Sequence, residues 1–280
     1  MTDNSPPPLR DVIETHGLGA KKALGQHFLL DLNITRKIAR LSGLAAGETV
    51  IEVGPGPGGL TRALLETGAG VIAIERDSRC ISALKELKPF YDGPFILVED
   101  DALQTDERAL LALNGITGPV RLASNLPYNI STELLVKWLK ASPRWWESMT
   151  LMFQKEVGER ILAQPGSKTY GRLSVISQVF SQPEKGFLLP ARAFTPPPKI
   201  DSIVLHFRPN TDYDVAPAAL EKVTQAAFAQ RRKMLRSSLK AVFGGEVEAV
   251  VESIGIPATH RAEDVPVSAW VKLAKLVEAA

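Results

Sequence analysis

Between Thr49 and Phe153, short runs rich in Val, Ile and Leu alternate with amphipathic stretches, and no other feature restricts the possible folds as much. Residues 50–53, 71–74, 95–98, 120–123 and 149–153 read as strands, and residues 60–66, 78–87 and 132–139 between them as helices. Strands that are apolar on both faces belong to a parallel sheet covered on both sides by helices, joined by right-handed crossovers. The expected fold is α/β and doubly wound. Further on, residues 170–179 read as a helix, and residues 184–189 and 202–207 as strands flanking the loop Phe194-Thr195-Pro196-Pro197-Pro198. Arg208-Pro209-Asn210-Thr211-Asp212 reads as a linker. Residues 218–229, 233–242, 247–254 and 268–278 then show helical periodicity without a strand. This divides the chain into a catalytic domain at 1–208, with a lid at about 10–45, and a small helical domain at 209–280.

With 280 residues, 45% of them hydrophobic, the chain is long enough for one large domain and one small one. The opening segment carries Pro6-Pro7-Pro8 but no apolar core of signal-peptide length, and no stretch reaches the roughly 18 apolar residues of a membrane span. A cytoplasmic protein without membrane attachment is expected. Cys80 is the only cysteine, which excludes an internal disulfide, and His16, His27, His206 and His260 lack metal-ligand spacing, so no metal is expected. A net charge of +2 says little about nucleic acid, so that question turns on where the basic residues cluster.

The segment Val50-Ile51-Glu52-Val53-Gly54-Pro55-Gly56-Pro57-Gly58-Gly59 ends the first strand and opens the first helix, where doubly wound sheets bind ligands. Its glycines, Gly54 and Gly56 among them, let backbone approach a ligand closely. Glu75 ends the second strand, 21 residues after Gly54, where a carboxylate accepts hydrogen bonds from both ribose hydroxyls. Loop and acid fit a nicotinamide dinucleotide as well as S-adenosylmethionine (SAM), and a purely structural glycine turn is the plainer alternative. The third strand separates them. It ends in Glu99-Asp100-Asp101-Ala102, an acidic tip suited to the 6-amino group of an adenosyl ligand. Spacing does not distinguish Asp100 from Asp101, and capping the next turn is the plainer role for one of them.

The fourth strand ends in Asn125-Leu126-Pro127-Tyr128. An exocyclic amine on an aromatic base is a poor nucleophile because its lone pair is delocalised into the ring, so an enzyme must hold and polarise it. The Asn125 side-chain oxygen and the Leu126 carbonyl supply two acceptors, Pro127 biases Leu126 toward an extended backbone, and Tyr128 stacks on the base. In isolation these four residues are merely a strand end punctuated by proline. Combined with the nucleotide loop and the two acidic strand ends they describe a methyltransferase acting on an amine.

Together these segments resemble the bacterial ribosomal RNA adenine dimethyltransferases over nearly the whole chain. The matching stretches are Lys21-Lys22-Ala23-Leu24-Gly25-Gln26-His27-Phe28-Leu29, the loop from Glu52 to Gly59, Glu75, Asp101-Ala102, Asn125 to Tyr128, Gln154-Lys155-Glu156-Val157, Phe194 to Ser202 and the basic stretch near Arg231. The resemblance implies a Rossmann-like, SAM-dependent catalytic domain followed by a small all-α domain. It further implies SAM contacts from His27, Leu29, Gly54, Glu75, Asp101 and Asn125. The implied reaction is dimethylation of two adjacent adenosines in the 3′-terminal hairpin of 16S rRNA, and the implied partner is the immature small ribosomal subunit, met by a monomer. The family pattern reads Gln-Asn-Phe where this chain has Gln26-His27-Phe28, so a side-chain contact at His27 is altered while a backbone contact is not.

Two further expectations concern the substrate. Residues 26–29 precede the first helix as a lid over the cofactor, and Phe194, ahead of three prolines, covers the adenine face opposite Tyr128. Arg231, Arg232, Lys233, Arg236 and Lys240 form a run without acids in which 232, 236 and 240 share one helical face suited to phosphates. Charged runs of this kind are more often simply solvated. Lys21, Lys22, Arg36, Lys37 and Arg40 make a second basic group, and Lys168 with Arg172 a third. The rival functions are an RNA-binding assembly factor for the small subunit, a related large-subunit rRNA adenine methyltransferase, and a nicotinamide oxidoreductase.

Overall fold

The computed structural model describes residues 5–19 and 27–279, so Lys21, Lys22 and Gln26 lie outside the described residues. The chain divides into two compact units, Met1–Lys155 with Lys185–Phe207, and Glu156–Glu184 with Arg208–Ala280.

In the first unit, α1 (Leu9–Thr15), β1 (Phe28–Leu29) and α2 (Leu32–Leu41) precede β2 (Thr49–Val53), α3 (Gly59–Leu65), β3 (Gly70–Glu75), α4 (Ser78–Lys85) and β4 (Phe95–Glu99). Next come α5 (Glu107–Leu113), β5 (Val120–Asn125), α6 (Ser131–Leu139) and β6 (Ser148–Gln154). Aspartates start the helices: Asp31, Asp77 and Asp106 each accept a backbone N–H of the first turn. The later strands are β7 (Ser181–Leu189), β8 (Phe194–Thr195) and β9 (Ser202–Pro209).

The described residues form a seven-stranded sheet in the order β4-β3-β2-β5-β6-β9-β7. The pairings among β2 to β6 are parallel, as their two-sided burial predicts, and β9 runs antiparallel to β6, extending the sheet beyond its parallel part. Strand order reverses between β2 and β5, which opens a crevice at their carboxyl ends. Val50, Ile51, Ile72, Leu122 and Leu151 fill the sheet's interior with at most 1% exposure. A separate two-stranded ribbon pairs β1 with β8, setting Phe28 opposite Thr195 and Leu29 opposite Phe194.

The second unit contains α7 (Lys155–Leu162), α8 (Arg172–Phe180), α9 (Pro217–Ala229), α10 (Leu235–Ser238), α11 (Lys240–Phe243), α12 (Val247–Ser253) and α13 (Val267–Glu278). Residues 156–184 thus group with the helices after 208, whereas the linker composition marks a boundary at 208 alone. Buried Leu173, Val175, Ile176 and Val179 make α8 apolar enough to share a core with α9 and α13. The single helix expected over 233–242 is not formed. Gln230 leaves helical geometry with ψ 61°, Met234 is extended with ψ 154° and bridges to Arg261, and two four-residue helices follow.

Candidate active site at the strand-order reversal

The crevice between the ends of β2 and β5 is a cavity lined by the nucleotide loop, the tips of β3 and β4, the lid segment 27–29 and the Asn125-Leu126-Pro127-Tyr128 turn. Gly54 and Gly56 have φ of +68° and +55°, a left-handed backbone that other L-residues rarely adopt. A Cβ at Gly54 would stand 3.2 Å from Pro127 Cδ, and one at Gly56 3.1 Å from Phe28 Cε1. The loop is therefore gripped by the acceptor turn on one side and the lid on the other. Close protein packing requires these glycines before any ligand is considered.

Glu75 is held from its own strand end. Its Oε1 accepts the Arg76 and Asp77 amides at 2.8 Å each, and its Oε2 accepts the Gly56 amide at 3.1 Å. A carboxylate has about four acceptor positions, so these three amides leave it capacity to accept from a ligand. Burial pushes its pKa up, and the three amides pull in the opposite direction. The structure also separates the two aspartates by their bonding. Asp101 receives the Leu103 amide and Arg76 Nη1, each at 3.1 Å, whereas Asp100 braces the turn through the Thr105 hydroxyl at 2.7 Å.

Glu52 belongs to the loop motif, yet the motif assigns it no role. It is 1% exposed and lines the cavity, and Thr61 Oγ1 donates to its Oε2 at 2.6 Å. Burial, opposed by the Thr61 hydrogen bond and reinforced by the Glu75 charge, pushes its pKa up to about 8. The signal is present in the sequence: a carboxyl interrupts an otherwise apolar buried strand.

On the acceptor side, Asn125 Nδ2 donates to the His27 carbonyl at 3.3 Å, which leaves Oδ1 as the amide's acceptor. The Tyr128 hydroxyl pairs with Ser202 Oγ at 2.6 Å, and Ser202 is fully buried. Nothing in the sequence pattern points to that anchor. The His27 ring lies 5.6 Å from the Tyr128 ring at 31°, and its Nδ1 is 2.8 Å from the Pro196 carbonyl. That carbonyl only accepts, so Nδ1 carries a proton. Leu29 lines the cavity. Phe194 does not: it is 3% exposed and packs in the apolar core with Leu29 and Ile38. The expected ring over the adenine is therefore not presented at the cavity, and Phe194 anchors the ribbon instead.

In the second unit the basic run is not a uniform free face. Arg231 Nε donates to Glu263 at 2.8 Å and its Nη2 to the carbonyls of Lys168 and Tyr170, so this guanidinium ties the unit together. Arg236 lies 3.7 Å from Glu248. Arg232, Lys233 and Lys240 are exposed, but the broken helix removes the shared i, i+4 face. Arg172 pairs with Glu221, Arg36 with Glu66, and Lys37 lies over the Phe187 ring at 4.0 Å.

A doubly wound sheet with a glycine loop, acidic strand tips and an Asn-Leu-Pro-Tyr turn around one cavity is the architecture of a nucleotide-cofactor enzyme. The family profile "Ribosomal RNA adenine dimethylase" matches residues 17–279, and the chain belongs to that family. Its enzymes use SAM as methyl donor. The "Ribosomal RNA small subunit methyltransferase A" of Mesorhizobium japonicum is 54% identical, covering 99% of this chain and 100% of its own. The protein of that name from Sinorhizobium medicae is 55% identical over 96% of each. Among solved structures, a dimethyladenosine transferase from Plasmodium falciparum superposes with a TM-score of 0.73 at 26% identity, covering 90% of this chain and 98% of its own. The 23S rRNA methyltransferase ErmE, at 24% identity and TM-score 0.66 over 90% of this chain and 99% of its own, shares the fold. Among the described residues no helix is long and apolar enough to cross a membrane, and no group of three His, Cys, Asp or Glu side chains is placed to hold a metal.

Proposed function

We propose that this chain dimethylates the 6-amino groups of two adjacent adenosines in the 3′-terminal hairpin of 16S rRNA, acting on immature small subunits. The observation that carries the reading is the acceptor turn Asn125-Leu126-Pro127-Tyr128 packed directly on the nucleotide loop through Pro127 and Gly54. The small-subunit target is supported by the names of the relatives at 54% and 55% identity.

The cavity's donor set fits the cofactor. Glu75 would hold the ribose, Asp101 the adenine amine, and the backbone at Gly54, Gly56, His27 and Leu29 the remainder. Bound there, SAM supplies an electrophilic methyl group. Asn125 Oδ1 accepts one N–H of the substrate amine and the Leu126 carbonyl the other, favouring a tetrahedral nitrogen with its lone pair free. Tyr128 stacks on the extruded base, and its hydroxyl anchor at Ser202 fixes the ring plane. A neutral amide at 125 serves both the amine and the monomethylated amine. Exposed Arg232, Lys233 and Lys240 contact RNA phosphates, while Arg231 and Arg236 act mainly within the protein.

The test is methyl transfer from labelled SAM to immature small subunits, with large subunits and fully methylated small subunits as controls, followed by nucleoside analysis. Dimethyladenosine confined to immature small-subunit RNA is expected. Methylation confined to large-subunit RNA would overturn the target, and RNA binding without transfer would leave only the assembly-factor role.

A further inference from the structure

We infer that Lys137 is a positioning residue for the methyl-donor site, holding the turn at residues 101–105 against α6 and thereby joining the donor wall to the acceptor wall. The inference rests on the proposed role of Asp101 and its turn against the cofactor.

Lys137 sits on α6, which begins three residues after Tyr128 and continues from the acceptor turn. Its ammonium does not line the cavity. Instead Nζ donates to the Ala102 carbonyl at 2.9 Å, the Thr105 carbonyl at 2.5 Å and Glu107 Oε1 at 2.8 Å. An ammonium has three N–H bonds, and all three are used. Glu107 is only 5% exposed in its side chain and also accepts Trp138 Nε1 at 2.7 Å, so the clamp is fastened to the helix at two neighbouring residues.

The clamped segment is short and irregular. It belongs to neither a helix nor a strand, so β-ladder bonds do not hold it. Within it, Asp101 Oδ1 accepts the Leu103 amide and Asp100 Oδ2 the Thr105 hydroxyl. These bonds shape the turn; Arg76 Nη1 ties Asp101 to the end of β3 at 3.1 Å, and Lys137 holds the turn from α6, gripping carbonyls on either side of Leu103 while Asp101, Ala102 and Leu103 line the cavity. A hydrocarbon at 137 would leave both carbonyls without this donor and the buried Glu107 carboxylate with Trp138 Nε1 alone. The turn would then relax and displace Asp101, whereas Asn125 keeps its own bond to His27.

The test is calorimetric binding of S-adenosylhomocysteine to the full chain, with Tm measured alongside and methyl transfer at saturating SAM as a third readout. Lys137→Met is expected to raise Kd about tenfold, equivalent to ~1.4 kcal/mol, and to raise KM for SAM in parallel while kcat stays within about twofold. Glu107→Gln keeps the lysine's bonds to both carbonyls, so it is expected to lower Tm and leave Kd within about twofold. If Lys137→Met does not fold, Lys137→Arg, which cannot converge three donors on one point, carries the measurement with a smaller rise in Kd. Unchanged affinity in the folded Lys137 variant, or an equal rise in Glu107→Gln, would reduce the clamp to general packing and overturn the inference. Asp101→Ala separates the two levels: wild-type Kd in that variant would sink the underlying placement of the cofactor, whatever Lys137 does.

Discussion

The walls of the cavity proposed for methyl donor and acceptor are built differently. The donor wall is local: Glu75 is held by the amides of Arg76 and Asp77 beside it and of Gly56 in the adjoining loop. The acceptor wall is assembled from distant chain. Asn125 reaches 98 residues back to His27, Tyr128 reaches 74 residues on to Ser202, and His27 reaches 169 residues on to Pro196. The Glu75 site is fixed by one strand end and its loop, with Lys137 bracing the neighbouring turn, whereas the acceptor geometry depends on the closure of segments far apart. Mutations in the two walls should therefore fall on different kinetic constants.

The largest effect expected is at Asn125. Asn125→Ala should lower turnover at saturating SAM about 100-fold, the scale for losing one transition-state hydrogen-bonding group, with a far smaller loss of S-adenosylhomocysteine affinity, since Asn125 is one cofactor contact among several. Single-turnover methyl transfer and calorimetry measure the two quantities. An equal loss in both would assign Asn125 to the donor wall and erase the contrast. Glu75→Gln should do the reverse, weakening cofactor binding about tenfold and sparing turnover once the enzyme is saturated. A smaller change is expected at the tyrosine anchor. Tyr128→Phe and Ser202→Ala should each lower kcat/KM for RNA by roughly threefold to tenfold, and the double variant should lose no more than either single one. Additive losses would mean that the 2.6 Å hydroxyl pair does not act as a unit.

The effect expected at Glu52 is on stability rather than turnover, and it grows as pH rises above the ordinary carboxylate range. Its carboxyl titrates at about 8 in the fold against an ordinary value of 4.5, so between those values the folded chain holds a proton that the unfolded chain has released. That contribution is complete below the unfolded value and is lost as pH rises through the folded one. Glu52→Gln should therefore flatten the fall of Tm between about pH 5 and pH 8 and stabilise the protein most at the alkaline end. Each tenfold difference in proton affinity between the folded and unfolded chains is worth about 1.4 kcal/mol there. Identical Tm profiles for the two proteins would show that the carboxyl is not buried.

The donor wall is largely legible in the sequence because its parts are consecutive: a buried strand, its glycine loop and the acid closing the next strand. The acceptor turn is legible for a similar reason, since Pro127 restricts the residue before it. Ser202 and the His27 ring are not, because spacing in sequence gives no indication of which distant segment closes over a site. The basic stretch fails in another way. Placing 232, 236 and 240 on one face presumes a continuous helix, and the bridge from Met234 to Arg261 breaks it. Counting acids only within the stretch also misses Glu263 and Glu248, which the fold brings to Arg231 and Arg236. The boundary at 208 marks a real turn in composition, but residues 156–184 group with the later helices, α8 through an apolar face shared with α9 and α13, which a linker search does not weigh.

The ribbon between β1 and β8 has a consequence for how the enzyme comes into being. Leu29 cannot pair with Phe194 until residue 194 has been synthesised and has left the tunnel of the ribosome making it. By then the glycine loop, Glu75 and Asn125 have all emerged, so a nascent chain carries the cavity-lining residues before the strand that pairs with its lid segment. Phe28 and Leu29, which line the cavity, thus gain their ribbon partner only after every other lining residue has been made.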